Sequence, residues 1–204
     1  MQSLAGLGPI TGRFVFPSFC PGIDIKNIEE YLATFPVLKH ISMDLDKPEI
    51  FCPESKFWQA ESIDLTLCIN TVPVFLRNFQ GRQAFLRCYD RNTLDLIEFM
   101  NRWKSGEQCQ KLEYLQIGIE FNNLPNDLLN ENGVKHIDAI KTPPTHTLPK
   151  LSKTEYVPNT TPINSHSYIV RETDNRVASV SIQDKSFCFG VWDKTEEEFL
   201  RMVK

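Results

Sequence analysis

The sequence predicts an α/β fold in which irregular leucine-rich-repeat-like strand-helix units lead into a C-terminal antiparallel β-meander and a short helix. Three observations predict it. The apolar spacing L-x-x-I-x-M at Leu38, Ile41 and Met43 returns at Leu112, Leu115 and Ile117. Stripes of helical period fall between the strand-like runs. Beyond residue 166 the pattern becomes strict alternation broken by turn residues.

Taken in order, Ile25, Ile28, Leu32 and Phe35 recur every three or four residues, with Lys26, Glu29 and Glu30 on the other side, which predicts a first helix stopped by Pro36. LKHISMDL follows as a short strand. In SIDLTLCI the residues Ile63, Leu65, Leu67 and Ile69 alternate with polar ones, so one strand face is apolar. A short helix is expected after Thr71, and QAFLRCYD supplies a further strand. TLDLIEFMNRWKS is the clearest helix. Thr93 suits the N-cap, Asp95 the positive end of the dipole, Arg102 and Lys104 the negative end, and Gly106 the left-handed turn that follows. Leu96, Phe99, Met100 and Trp103 then form one stripe, read as a core face with Trp103 inside it. LEYLQIGI is the next strand, and a short helix is expected over residues 126–131 before Gly133. The strands centre near Ile41, Thr66, Leu86 and Leu115, a spacing of about 20 to 29 residues that falls in the leucine-rich-repeat range. Alternating strands and helices imply right-handed crossovers onto a mostly parallel sheet, as a curved solenoid or a compact layer.

Four segments follow. Residues 1–24 are an N-terminal segment and 25–141 the α/β repeats. Residues 142–166 hold five prolines among many Thr, Ser and Asn, and read as a linker without a core of its own. In 167–204, Ala178, Val180 and Ile182 and then Phe187, Phe189 and Val191 alternate with small residues, forming a meander that turns at Thr173-Asp174-Asn175 and Gln183-Asp184-Lys185. Thr195 and Glu198 have the capping-box spacing of a last helix, with Phe199 and Met202 or Val203 inward.

Composition excludes several functions. A net charge of −4 and a pI near 5.6, with no basic block, argue against nucleic-acid binding. No run approaches the roughly 18 apolar residues of a membrane span, and MQSLAGLGPITGRFVF lacks the pattern of a secretory leader, so a cytoplasmic or nuclear location is expected. The cysteines Cys20, Cys52, Cys68, Cys88, Cys109 and Cys188 stand singly and read as reduced thiols, with Cys68 and Cys88 as small buried hydrophobes.

The search for chemistry returns negatives. No phosphate loop, dinucleotide fingerprint, nucleophile elbow or H-E-x-x-H helix is present, and nine glycines leave little material for a phosphate cradle. His40, His136, His146 and His166 lack a His or Cys at metal-ligand spacing, so structural or solvated roles are expected, with no metal and no cofactor. Cys109 near Lys111 is a candidate activated thiol without an identifiable base. Asp44-Leu45-Asp46 reads as a solvated strand end, and Glu196-Glu197-Glu198 as the acidic first turn of a capped helix. The expectation is a protein-binding domain and not an enzyme.

Read together, SIDLTLCINTV, FQGRQAFLRCYD, TLDLIEFMNRWKSGEQCQ and KLEYLQIGIEF closely resemble the nematode F-box-associated domain of the second type. Thr93, Leu94, Asp95, Phe99, Trp103, Gly106, Leu112, Glu113, Leu115 and Ile117 meet the most specific phrase of that family. YIVRETDNRVASVSI and FCFGVW resemble its closing strand pair, with Asn175 where glycine is usual. The resemblance spans most of the chain after residue 36. It implies a substrate-recognition module of the kind carried by F-box adaptors, which dock a Skp-family adaptor and through it a cullin-RING ubiquitin ligase.

Residues 1–24 show no L-P-x-x-L-x-x-x-I helix of F-box type. Binding is expected at exposed strand ends and loops; the sequence assigns no contact residues. Three alternatives stand beside this reading. One is a free-standing interaction domain unconnected to a ligase, and another an enzyme whose site, using Cys109 or a histidine, forms between the two halves. The third is a truncated product with an uncapped first repeat, for which Ile41, Leu65 and Leu67 would be exposed.

Overall fold

The computed structural model describes residues 12–15, 25–45, 51–67, 72–89, 93–120, 124, 126–130, 133–151, 157–183 and 185–204. Strands β1 (Gly12–Val15), β2 (Leu38–Leu45), β3 (Ser62–Leu67), β4 (Gln83–Cys88) and β5 (Tyr114–Ile119) lie parallel, side by side and in chain order. Helices α1 (Ile25–Ala33), α2 (Val72–Asn78) and α3 (Thr93–Ser105) and a 3-10 turn at Lys56–Gln59 connect them. Parallel neighbours require crossovers, and right-handed crossovers in a monotonic strand order all fall on one face. The packing agrees. α1 lies against the 3-10 turn, Trp58 of that turn meets Phe75 of α2 with ring centroids 6.1 Å apart, and α2 lies against α3.

A second set of strands continues the sheet in antiparallel fashion. These are β6 (Lys135–His136), β9 (Ser167–Val170), β10 (Arg176–Gln183) and β11 (Ser186–Thr195). Among the described residues the sheet has nine strands in the order β1-β2-β3-β4-β5-β11-β10-β9-β6. β11 pairs with β5 from Ser186↔Gly118 to Gly190↔Tyr114, so the parallel strands and the meander share one sheet. α4 (Glu196–Leu200) closes the chain with both halves of the capping box formed between Thr195 and Glu198. Phe199 is buried and Val203 packs beside it, while Met202 is exposed.

The inner face of the sheet and the crossovers enclose the main core. Ile41, Ile63, Leu65, Leu67, Leu86, Leu115, Ile117, Phe187 and Phe189 are all buried there. The expected stripe of α3 supplies the opposing layer: Phe99 and Trp103 meet the Phe189 ring edge-on at 5.1 and 5.0 Å. In the same core, Phe51 stacks on Phe57 at 4.0 Å and Trp58 donates its indole N–H to the Cys52 carbonyl. Ile41, Leu65 and Leu67 are fully covered, opposite to what the truncated-product reading expects.

Several elements differ from expectation. β1 falls inside the segment 1–24, where no element was expected, and pairs with β2. The 3-10 turn was also unexpected; Ser55 caps it by accepting from the Phe57 amide. The helix expected over 126–131 is a 3-10 turn at Asn126–Asn130. The proposed Thr93 side-chain cap, and the structures of Cys20, Cys68, Asp46 and Asp184, lie outside the described residues.

The Pro/Thr-rich stretch departs most. Rather than a coreless linker, its described part is a two-stranded hairpin of β7 (Thr145–His146) and β8 (Ile163–Asn164). Bonds Thr160 N–H to Leu148 O at 2.8 Å and Lys150 N–H to Pro158 O at 2.8 Å extend it toward residues 151 and 157. Prolines carry no N–H to spare, so the hairpin is short in ladder bonds and takes its remaining stability from the sheet on which it lies. Ile163 and Leu148 pack there with Tyr114, Cys188 and Phe85 in a small cluster of their own.

Candidate functional site

The pleat sends alternate side chains to the outer face, away from the crossovers, and register aligns them across strands in rows. The first row runs His40, Ser62, Gln83, Tyr114, Gly190, Ser179 and Tyr168. Ser42, Asp64, Phe85, Gln116, Cys188 and Ser181 form the second, and Asp44, Thr66, Arg87, Gly118, Ser186 and Gln183 the third. These rows are thus polar, small or aromatic, where the inner face is apolar.

The hairpin's described residues, 145–151 and 157–164, cover the middle of the first row. The Gln83 amide bonds the strap's backbone twice: Nε2 donates to the Pro149 carbonyl at 2.9 Å and Oε1 accepts from the Leu151 N–H at 3.0 Å. Tyr114 Oη donates to the Thr161 carbonyl at 3.0 Å, and the Thr161 hydroxyl to Gln116 at 3.2 Å. Lys150 Nζ sits 5.1 Å from the centre of the Phe85 ring. At the other end, α4 covers Trp192 and Tyr168 through Phe199.

Apart from Phe85 and Gln116, which the strap contacts, the second and third rows on β2 to β5 remain accessible. Ser42, Asp64, Thr66 and Gln116 are half-buried and Asp44 and Arg87 exposed. Arg87 Nη2 lies 3.3 Å from Asp64 Oδ1, a cross-strand pair with side chains 61% and 36% exposed. A pair that wet contributes little to folding, about 0–1 kcal/mol, so these charges are available for other contacts.

The candidate catalytic groups are dispersed. Cys109 is buried at a positive φ of 53°, its thiol directed at the Leu76 and Phe79 carbonyls, and burial pushes its pKa up to about 12. A thiol so held is not activated. His40 is buried against the Ser62 hydroxyl, whereas His136 and His166 are exposed and bonded to Ser167 and the Lys141 carbonyl. His146, on the strap itself, is buried against β11. Among the described residues no three of His, Cys, Asp and Glu converge as a metal site. A cleft of about 200 Å3 at the start of β2 is lined by Pro36, Val37, Leu38, Lys56, Gln59, Gln80 and Lys111. Lys56 there is already bonded to the Ala33 and Phe35 carbonyls of the α1 terminus.

No protein-family model matches the chain, and neither a curated protein nor a solved structure matches it. The fold itself defines a mixed α/β domain, and no helix among its described residues is long and apolar enough to cross a membrane. The sequence signal for the accessible face was the polar half of each alternating strand; which rows stay open depends on the strap, whose position no local pattern announces.

Proposed function

We propose that the chain is a protein-interaction module that recognises its partner on the accessible outer face of β2 to β5, in the manner of the substrate-recognition part of an F-box adaptor. One observation carries this reading: a polar strip crosses four parallel strands, is open to solvent, and holds an Asp64–Arg87 pair that the core does not need. A rigid sheet presenting side chains in fixed register suits recognition of a folded partner with little loss of conformational entropy. The residues of the strip nearest the strand ends, Asp44, Thr66 and Arg87, agree with binding at strand ends. The resemblance of the Thr93–Ile117 phrase to the F-box-associated domain supports the same class. Sequential parallel strands with crossovers on one face are compatible with the leucine-rich-repeat-like layer that this reading supposes. On this reading the domain has no catalytic role, and its location is cytoplasmic or nuclear.

The test is affinity capture of the tagged chain from a cell extract, beside the variants Asp64→Arg and Arg87→Glu, read by mass spectrometry with Skp-family adaptor and cullin scored. Proteins recovered by the wild type and lost with both variants are the expected result. Adaptor and cullin among them would place the domain in a ligase; their absence would make it a free-standing interaction module. Recovery unchanged in the variants would overturn the assigned face.

A further inference from the structure

The strap is held at one point by a contact of an unusual kind. The His146 ring lies directly on Gly190 of β11, so close that a Cβ built on Gly190 would stand 2.5 Å from Nδ1 and 2.8 Å from Cγ. The ring is nearly parallel to Tyr114, with centroids 6.3 Å apart, and edge-on to Trp192 at 4.9 Å. Its Nε2 is 3.0 Å from the Val191 carbonyl, which can only accept, so Nε2 carries the proton. Nδ1 is then the bare nitrogen of a neutral imidazole. It is buried and has no hydrogen-bond partner among the described residues.

We propose that the strap formed by residues 145–151 and 157–164 is a pH-sensitive latch: neutral His146 seated on Gly190 holds it to the sheet, and protonation of that ring releases it and uncovers Tyr114, Phe85 and Trp192.

The physical case is one of an unplaceable proton. Protonated His146 would have an N–H at Nδ1 facing a site without an acceptor, at a buried position where charge is costly. The surrounding groups offer little compensation. From β5 come the Tyr114 phenol, raised by burial and therefore neutral, and Glu113 just before the strand, whose carboxylate is engaged by Arg82 at 2.8 Å. From β11 comes the Cys188 thiol, raised by burial to about 11 and also neutral. On the strap's own β8, His146 is paired with Ile163, which carries no charge. Burial accordingly holds the His146 pKa below its ordinary value, against weaker opposing effects of the Val191 bond and Glu113.

The sign follows from linkage. The closed strap binds a proton less readily than the open one, so closure is at full strength above the open-state value near ~6.5. It weakens as the pH falls below that value and levels off below the closed-state pKa. His166, just beyond the strap, provides an internal contrast: it is exposed, and its Nε2 donates to the Lys141 carbonyl.

The experiment is hydrogen exchange of the full chain at pH 7.5 and 5.5, corrected for the intrinsic pH dependence of exchange, on wild type, His146→Gln and His166→Gln. The strap amides of Leu148, Lys150 and Thr160 should open up to about tenfold more at pH 5.5 in wild type and His166→Gln, and show no pH response in His146→Gln. Equal opening at both pH values in wild type, or a response that persists in His146→Gln, would overturn the latch. Should His146→Gln fail to fold, proton NMR titration of wild type decides. A His146 ring titrating below ~6.5 in step with the strap amides supports the latch, and strap amides that ignore that titration overturn it.

Discussion

Arg171, at the corner between β9 and β10, lies over the indole of Trp103 on α3, its guanidinium carbon 5.1 Å from the ring centroid. The same guanidinium forks onto Asp174 through Nε at 2.9 Å and Nη2 at 2.6 Å, and Nη1 donates to the Gln110 carbonyl at 3.2 Å. One buried side chain thereby ties the meander to α3 and to the loop that follows it. The geometry depends on a planar fork and a flat cation, which lysine cannot reproduce.

Arg171→Met should therefore cost about 2–3 kcal/mol in urea denaturation, because it removes charge-assisted bonds and the cation–π contact while leaving the apolar stem. Arg171→Lys should recover less than half of that. Equal stability of Lys and Arg at this position would show that charge alone matters.

Asp174 answers the same contact in its titration. The Arg171 hydrogen bond, helped by the Arg176 amide, holds its carboxyl below the ordinary value despite some burial. A carboxyl with a depressed folded-state pKa stabilises the fold above the unfolded value near ~3.9 and loses that contribution as the pH falls through the folded value. The stability difference between wild type and Asp174→Asn should thus be constant from pH 7 to about 5 and shrink below about 4, as measured by denaturation across that range.

Gly106 joins the two halves by a different means. It ends α3 at φ 79°, and a Cβ there would meet Thr173 Cγ2 at 2.5 Å and Oγ1 at 2.8 Å. Gly106→Ala should cost about 1–3 kcal/mol, combining backbone strain with the clash. In the background Thr173→Ala the two closest contacts disappear, leaving the Thr173 Cβ position at 3.2 Å, and the cost should fall toward about 1 kcal/mol of backbone strain, so a double-mutant cycle separates most of the clash from the strain.

The described cysteines should differ sharply in labelling. Cys52 is exposed, although a hydrogen bond with Glu29 raises its pKa, while Cys88, Cys109 and Cys188 are buried. Peptide-resolved alkylation of the native protein at pH 8 should mark Cys52 well before Cys109 or Cys188. Rapid labelling of Cys109 would show an accessible, activated thiol and revive it as a nucleophile.

Much of the fold was legible because its signals are local. In α3 the stripe, the dipole residues and the glycine stop all lie within residues 93–106, and the helix spans Thr93–Ser105 as expected. The capping box of α4 is equally short-ranged. β1 gave no such signal, being four residues whose partner β2 lies more than twenty positions away. The strap was misread for a related reason. Its composition forbids a long ladder, but Gln83, 66 positions before Pro149, satisfies its backbone from the sheet. The polar residues that fix the strap look, in sequence, like those of any solvated strand face. The accessible strip was therefore legible as a set of polar positions, and its limits were not.

Two glycines of the outer face test where those limits fall. Gly190 lies under the strap, and a Cβ there would collide with His146 and with Ile163 Cδ1 at 2.9 Å. Gly118, one strand away on β5, faces the open strip, and its nearest neighbour to a new Cβ is the Leu86 carbonyl at 3.8 Å. Gly190→Ala should displace the His146 ring and cost about 1–3 kcal/mol, with the loss of protection concentrated in the strap amides. Gly118→Ala should stay within about 0.5 kcal/mol of wild type or slightly above it, since alanine restricts the unfolded chain and fits the strand. Equal effects of the two substitutions, in stability and in strap exchange, would mean that the strap does not seat on Gly190, and the covered and open parts of the face would have to be redrawn.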